Sequence, residues 1–124
     1  MVKFALTVAT LITLSSAAMA EGDIKAGKKV FKKCKACHSL KAGDNKVGPT
    51  LYNIIGAMSG ANPDFRYSKA MSEAGLIWDT DTLAAFFTKP KDLVPGTSMA
   101  FGGLKKPAQV DDLIAYLQSE METE

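Results

Sequence analysis

Histidine and tryptophan each occur once in these 124 residues, arginine once at Arg66, and cysteine only twice. These scarcities exclude a good deal. A closed zinc site takes four ligands, usually Cys or His, and once Cys34, Cys37 and His38 are counted no other Cys or His remains. A disulfide framework has one possible bridge, Cys34 to Cys37, closing a loop too short to constrain the unfolded chain much. A single arginine in a chain with an acidic end lacks the footprint of a nucleic-acid binder. There is no internal repeat, low-complexity stretch or long linker, and no convincing strand-type alternation, so one all-α domain is expected.

Long apolar runs are also missing, with one exception. Phe4 to Leu14 follows Met1-Val2-Lys3 and precedes small residues ending in Ala18-Met19-Ala20, the three-part layout of a cleaved secretory signal. The run is shorter than the ~20 residues a membrane span needs. Residues 1–20 are therefore expected to be a signal peptide, and residues 21–124 a single exported domain. A domain of that size buries only about two-thirds of its surface and is marginal unless something enlarges its core. With no disulfide scaffold, another centre must organise it.

Charge is near balance but unevenly placed. Eight lysines lie between Lys25 and Lys46 against one acid, Asp44, whereas Asp111 to Glu124 holds five acids and no base. Such a dipole can steer encounters with an acidic partner.

The periodicity predicts a first helix capped by Asp23, with Ile24, Gly27, Val30, Phe31 and Cys34 on one face. Gly27 inside it costs about 1 kcal/mol relative to alanine, a cost that close approach of another helix explains. A last helix starts at Pro107 and carries Val110, Leu113, Ile114, Leu117 and Met121 as its apolar stripe, with Tyr116 alongside. Shorter helices are expected over Thr50 to Ile55, Ser68 to Ala74 and Thr80 to Thr88, and loops over 43–49, 56–63 and 90–103.

What is present is concentrated. The stretch "VFKKCKACHSLK" holds both cysteines and the histidine within five residues. A redox dithiol wants its C-x-x-C after a strand, and no strand precedes Cys34. C-x-x-C-H is instead the signature of covalent haem attachment. Cysteines three apart occupy neighbouring positions on a helical turn, where both sulfurs reach the vinyl groups of one porphyrin edge. His38 then falls under the ring with its imidazole available to the iron. The opposite face is either open to a substrate or closed by a protein ligand, and with no second histidine the ligand to consider is methionine. Met121 and Met71 fall in helical segments, while spacing alone leaves both Met58 and Met99 open. Met99 lies in "KPKDLVPGTSMAFGGLKKP", where Leu93, Val94 and Phe101 suggest a loop folded inward. A thioether opposite imidazole raises the reduction potential and leaves no vacant site, which suits electron transfer.

Seven segments spread over the mature chain, "GDIKAGKKVF", "CKACH", "VGPTLYNIIG", "FRYSKAM", "GLIWD", "TKPKDLVPGTSMAFGGLKKP" and "DDLIAYL", resemble the class I cytochromes c. The resemblance implies the small class I all-α fold, with N- and C-terminal helices crossing and shorter helices and loops wrapped around one covalent haem c. It implies Cys34 and Cys37 as thioether sites and His38 and Met99 as axial ligands. Pro49 becomes the carbonyl acceptor for the His38 ring, Tyr67, Trp78 and Thr97 lie in the propionate region, and Phe101 packs beside the exposed haem edge. Gly27 and Phe31 meet Leu113 and Tyr116 at the helix crossing. Departures from the mitochondrial pattern are Ala57 for a propionate-binding arginine, Phe86 for a tyrosine on the methionine sulfur, and Met71 for an asparagine. The expected activity is not enzymatic. The chain is expected to be a soluble, monomeric, periplasmic carrier of single electrons from a quinol-oxidising bc complex, or a dehydrogenase, to a terminal oxidase or reductase. Lys32, Lys33, Lys41, Lys46, Lys91, Lys105 and Lys106 are its candidate docking residues, with no nucleic acid and no membrane span in the mature chain.

Overall fold

The computed structural model describes residues 22–121 together with residues 2 and 8–10. The signal peptide expected over 1–20 thus falls almost wholly outside the described residues, as do Glu122 and Glu124. Among the described residues five helices follow in order: α1 Ile24–Phe31, α2 Lys69–Ser72, α3 Thr80–Thr88, α4 Pro90–Leu93 and α5 Pro107–Ser119. Among the described residues, no named strand forms. Met58 and Ile77 make a single antiparallel bridge.

α1 begins where its sequence can satisfy the free N–H groups of a first turn. The Asp23 side chain accepts from Ala26 N–H at 3.1 Å. Asp23 also donates its own N–H to Asp112 Oδ1 at 2.8 Å, which ties the start of α1 to the first half of α5. The two helices cross at Gly27, where a Cβ would run into the Asp112 carbonyl and Tyr116. Absence of that Cβ lets the backbones meet, and the cost of a helical glycine is recovered in packing. Phe31 is then 2% exposed and Leu113 1%. The Phe31 and Tyr116 rings lie 5.5 Å apart at 51°, within the range of favourable tilted pairs.

α3 fits the expected Thr80 to Thr88, with Asp79 as its cap through a 2.7 Å bond from Thr82 N–H. It buries Leu83, Phe86 and Phe87. Trp78, just before it, is 5% exposed and packs at 5.0 Å on Phe86.

Several expectations need correction. Thr50 to Ile55 is not a helix but successive turns, with Ile54 N–H on the Leu51 carbonyl and Ala57 N–H on that of Ile54. Asn53 takes φ 51°, the left-handed region, and there the right-handed path ends. α2 is shorter than Ser68 to Ala74: Ser68 is its cap rather than its first residue, and Gly75 stops the chain at φ 63°. Pro90, expected to open a loop, is the first residue of the short α4, where its missing N–H costs nothing. Ile24 is 52% exposed and lies off the buried face of α1, and Met121 lies beyond the end of α5.

Candidate functional site

α1 does not stop cleanly. Its backbone winds on through single turns, with Cys34 and Lys35 both bonding the Phe31 carbonyl and His38 N–H reaching the Cys34 carbonyl at 2.8 Å. This last bond closes one α-type turn from Cys34 to His38, so the two sulfurs and the imidazole are set by the same turn of backbone. Cys34 and Cys37 are free thiols, each partly buried. Burial pushes the Cys34 thiol up to about 11, the neighbouring Cys37 adds to this, and Lys33 pulls the other way. A neutral, retracted thiol is the opposite of the acidified cysteine that disulfide exchange employs.

The imidazole is held from the loop that follows. His38 Nδ1 lies 2.7 Å from the Pro49 carbonyl oxygen, which makes Nδ1 the protonated nitrogen and leaves the Nε2 lone pair available. The ring lies against Gly48, where any Cβ would collide with it. Gly48 N–H in turn bonds the Cys37 carbonyl at 2.8 Å, and Leu51 N–H bonds that of Ser39 at 2.8 Å. Thr50 Oγ1 donates to the Lys41 carbonyl at 2.6 Å, with the Ser39 carbonyl at 3.3 Å. These bonds fold residues 43–51 back onto the cysteine and histidine segment.

The candidate methionines separate clearly. Met99 is half-buried and packs on the core, whereas Met58 is 58% exposed at the bridge with Ile77. The Met99 loop is pinned by Val94 and Leu104, 2% and 3% exposed. Within it Thr97 N–H bonds the Val94 carbonyl at 3.1 Å, and Thr97 Oγ1 accepts Met99 N–H at 3.3 Å. Thr97 therefore shapes the loop that carries the thioether, in addition to the role the resemblance implied. Phe101, in the same loop, is half-buried against the core. Met71 is half-buried in α2.

Tyr67 and Trp78 stand on separate segments. The Tyr67 hydroxyl accepts Asn62 N–H at 3.1 Å, which leaves its own O–H free to donate. Trp78 is locked by backbone pairing: Gly56 N–H bonds its carbonyl, and its N–H bonds that of Ala57, both at 2.8 Å. Ser59 is a buried polar residue that sequence reasoning missed. Its N–H donates to the Leu76 carbonyl at 2.7 Å, and its hydroxyl accepts Leu76 N–H at 2.9 Å. Asn45 and Asn62 were missed too. Both are common turn residues, and their mutual bond at 2.9 Å joins positions 17 apart, beyond any local pattern.

These residues fit a metal-bearing macrocycle. Two thiols three apart, an imidazole with its Nδ1 engaged, and a half-buried thioether could supply tethers and metal donors. Leu40, Leu51, Ile54, Leu76 and Phe101 are each packed on the core yet only partly buried, apolar surface that a flat apolar ring could cover. Two open grooves lie apart from these residues, one of about 480 Å³ between α3 and α4 over Ala84, Thr88 and Leu93. They carry neither thiol nor imidazole.

Lys32, Lys33, Lys41, Lys46, Lys91, Lys105 and Lys106 are all exposed. Among the described residues the ion pair recorded is Lys89 with Asp92 at 3.9 Å, so these seven amines project into solvent without a carboxylate neighbour. Among the described residues, no helix is long and apolar enough to cross a membrane.

Comparison with known proteins agrees with this geometry. The family model described as cytochrome c matches residues 24–120. The chain is 48% identical over 101 residues to a cytochrome c2 of Agrobacterium tumefaciens, covering 78% of this chain and 91% of that one. It is 42% identical over 120 residues to a cytochrome c2 of Rhodomicrobium vannielii, covering 96% and 95%. Among solved structures, cytochrome cH from Methylobacterium extorquens is similar with a TM-score of 0.75 at 44% identity, covering 79% of this chain and 99% of that one.

Proposed function

The chain belongs to the cytochrome c family, and from that membership we propose that it is a soluble, monomeric, periplasmic shuttle taking one electron from a quinol-oxidising bc complex or a dehydrogenase and passing it to a terminal oxidase or reductase. Family membership carries the coarser statements: the cofactor is covalently bound haem c, the role is electron carriage and the partners are redox proteins. In the finer reading Cys34 and Cys37 are the thioether tethers, and His38 and Met99 are the axial ligands. Pro49 orients the imidazole, Tyr67, Trp78 and Thr97 serve the propionate region, and Phe101 lies beside the ring edge.

The observation that carries this reading is the 2.7 Å bond from His38 Nδ1 to the Pro49 carbonyl, which presents Nε2 as the donor and adds to its basicity. When bound, haem c supplies an iron that cycles between two oxidation states one electron apart. The residues do the rest. His38 and Met99 would both hold the iron of a bound haem, which would leave it closed to outside ligands, so the chain is a carrier and not an enzyme in this account. The tight crossing of α1 and α5 fixes the helix from which the Cys34–His38 turn continues and the helix that follows the Met99 loop. Apolar side chains covering a bound haem would keep water from it, which would favour the less charged state and raise the potential together with the thioether.

Docking rests on the exposed lysines. Encounters with an acidic partner are steered by their field and screened by salt. Electron-transfer rates to a membrane oxidase or reductase are expected to fall steeply as ionic strength rises. Flat salt dependence would remove the lysines from the account. The leader-like layout of residues 1–20 supports export, and N-terminal sequencing of protein recovered from the periplasm tests cleavage after Ala20.

A further inference from the structure

The Pro49–Thr50 peptide is one planar unit, and both of its polar ends are engaged. Its carbonyl, on Pro49, accepts from His38 Nδ1 at 2.7 Å. Its N–H, on Thr50, donates to Asn45 Oδ1 at 2.9 Å. In a trans peptide these groups point to opposite sides of the chain, so the tilt of the plane is fixed by one bond at each edge. The Asn45 atom facing Thr50 must be its oxygen, because an N–H can only donate. The same oxygen also accepts Asn62 Nδ2 at 2.9 Å, while Asn45 Nδ2 donates to the Asp64 carbonyl at 3.3 Å. Asn62 is itself held, its Oδ1 accepting Asp64 N–H at 3.0 Å and its N–H bonding the Tyr67 hydroxyl.

We infer that Asn45 is a positioning residue for the His38 imidazole: it grips the far edge of the peptide whose near edge orients the ring, and Asn62 anchors that grip to the turn at residues 61–67. This rests on the reading of His38 as an iron ligand. Hydrogen bonds in series polarise one another. Thr50 N–H donating to Asn45 makes the Pro49 carbonyl a better acceptor, the Nδ1 proton is held more strongly, and Nε2 gains basicity toward the iron. Loss of the Asn45 acceptor is therefore expected to loosen the Nδ1 proton and raise the reduction potential.

The experiment uses the full haem-loaded protein and reads three quantities: exchange of the His38 Nδ1 proton by NMR in the reduced state, the reduction potential, and the absorption spectrum. Asn45→Ala is expected to speed that exchange about tenfold, the loss of roughly one hydrogen bond, and to raise the potential. Asn45→Asp keeps an acceptor for both Thr50 and Asn62, and is expected to restore both values toward wild type. Asn62→Ala is expected to move both in the same direction as Asn45→Ala but less, and it decides the matter should Asn45→Ala fail to assemble. A lower melting midpoint with exchange and potential unmoved would reduce Asn45 to loop stability and overturn the inference. A wild-type spectrum without histidine ligation overturns the iron-ligand reading itself; a low-spin wild type with unmoved variants overturns the Asn45 role alone.

Discussion

At the crossing of α1 and α5, Phe31 and Leu113 are 2% and 1% exposed and the helices touch backbone to backbone over Gly27. On the loop side, Leu40, Leu51, Ile54 and Met99 are only half-buried, and the chain is held by side chains of Ser39, Asn45, Thr50 and Asn62 bonded to backbone. The first region is closed by protein against protein. The second is a frame of side-chain hydrogen bonds beside half-buried apolar residues. Each has a glycine at its tightest point, Gly27 beneath Tyr116 and Gly48 beneath the His38 ring. One glycine makes room for a helix and the other for an imidazole ring, so the same chemical change has different consequences in the two places.

The comparison can be broken most completely at the tethers. Cys34→Ala with Cys37→Ala removes covalent attachment, and the haem-free chain is expected to lose its near-UV dichroism and cooperative thermal transition. Native-like dichroism with cooperative unfolding would show that the loop side holds itself. Next in size, Gly27→Val drives two methyl groups into the Asp112 carbonyl and Tyr116 and is expected to cost about 3 kcal/mol by denaturant titration. In whatever fraction stays folded, the visible spectrum should remain that of wild type. Gly48→Ala reverses the pattern, with a stability loss of about 1–2 kcal/mol but a displaced His38 ring, read as a shifted reduction potential. Equal spectroscopic effects of the two substitutions would erase the distinction drawn between the regions.

The smallest effect is a matter of pH. Thr82 N–H on Asp79, assisted by the Thr82 side chain, holds this carboxyl below its ordinary 3.8. A depressed folded value means that the ionised cap stabilises α3 fully above the unfolded value, and that this contribution is lost as pH falls through the folded one. Asp79→Asn keeps a capping oxygen without the titration. The acid limb of its melting curve should therefore be slightly flatter than that of wild type, and identical limbs would assign Asp79 no part in acid unfolding.

Legibility from sequence divides along the same line. α1, α3 and α5 were readable because burial of one helical face imposes a 3.6-residue repeat, and Gly27 stood out as a helical glycine needing a neighbour. Cys34, Cys37 and His38 were readable because their chemistry depends on local spacing. The Thr50 to Ile55 segment misled because its apolar residues fall at helical intervals while Asn53 at φ 51° and the Thr50 hydroxyl direct the backbone otherwise. Asn45 and Asn62 were invisible because their bonds join loops through side chains, and such contacts leave no period in the sequence. Pro49 and Thr97 came from resemblance, and Met99 from its loop together with the resemblance; the structure adds to them a partner or a place: the His38 ring for Pro49, the core for Met99, and the Met99 N–H for Thr97.

The central claim is an iron held between His38 and Met99 with no open position. A redox titration followed by optical absorption, on wild type and on Met99→Ala, tests it most directly. The account predicts two-thioether haem c in wild type, a ferric spectrum with the weak far-red band of methionine ligation, and a single one-electron transition. In Met99→Ala it predicts loss of that band, ready binding of added ligands and a lower potential. A wild-type spectrum lacking the band, or a band that survives in Met99→Ala, would contradict it.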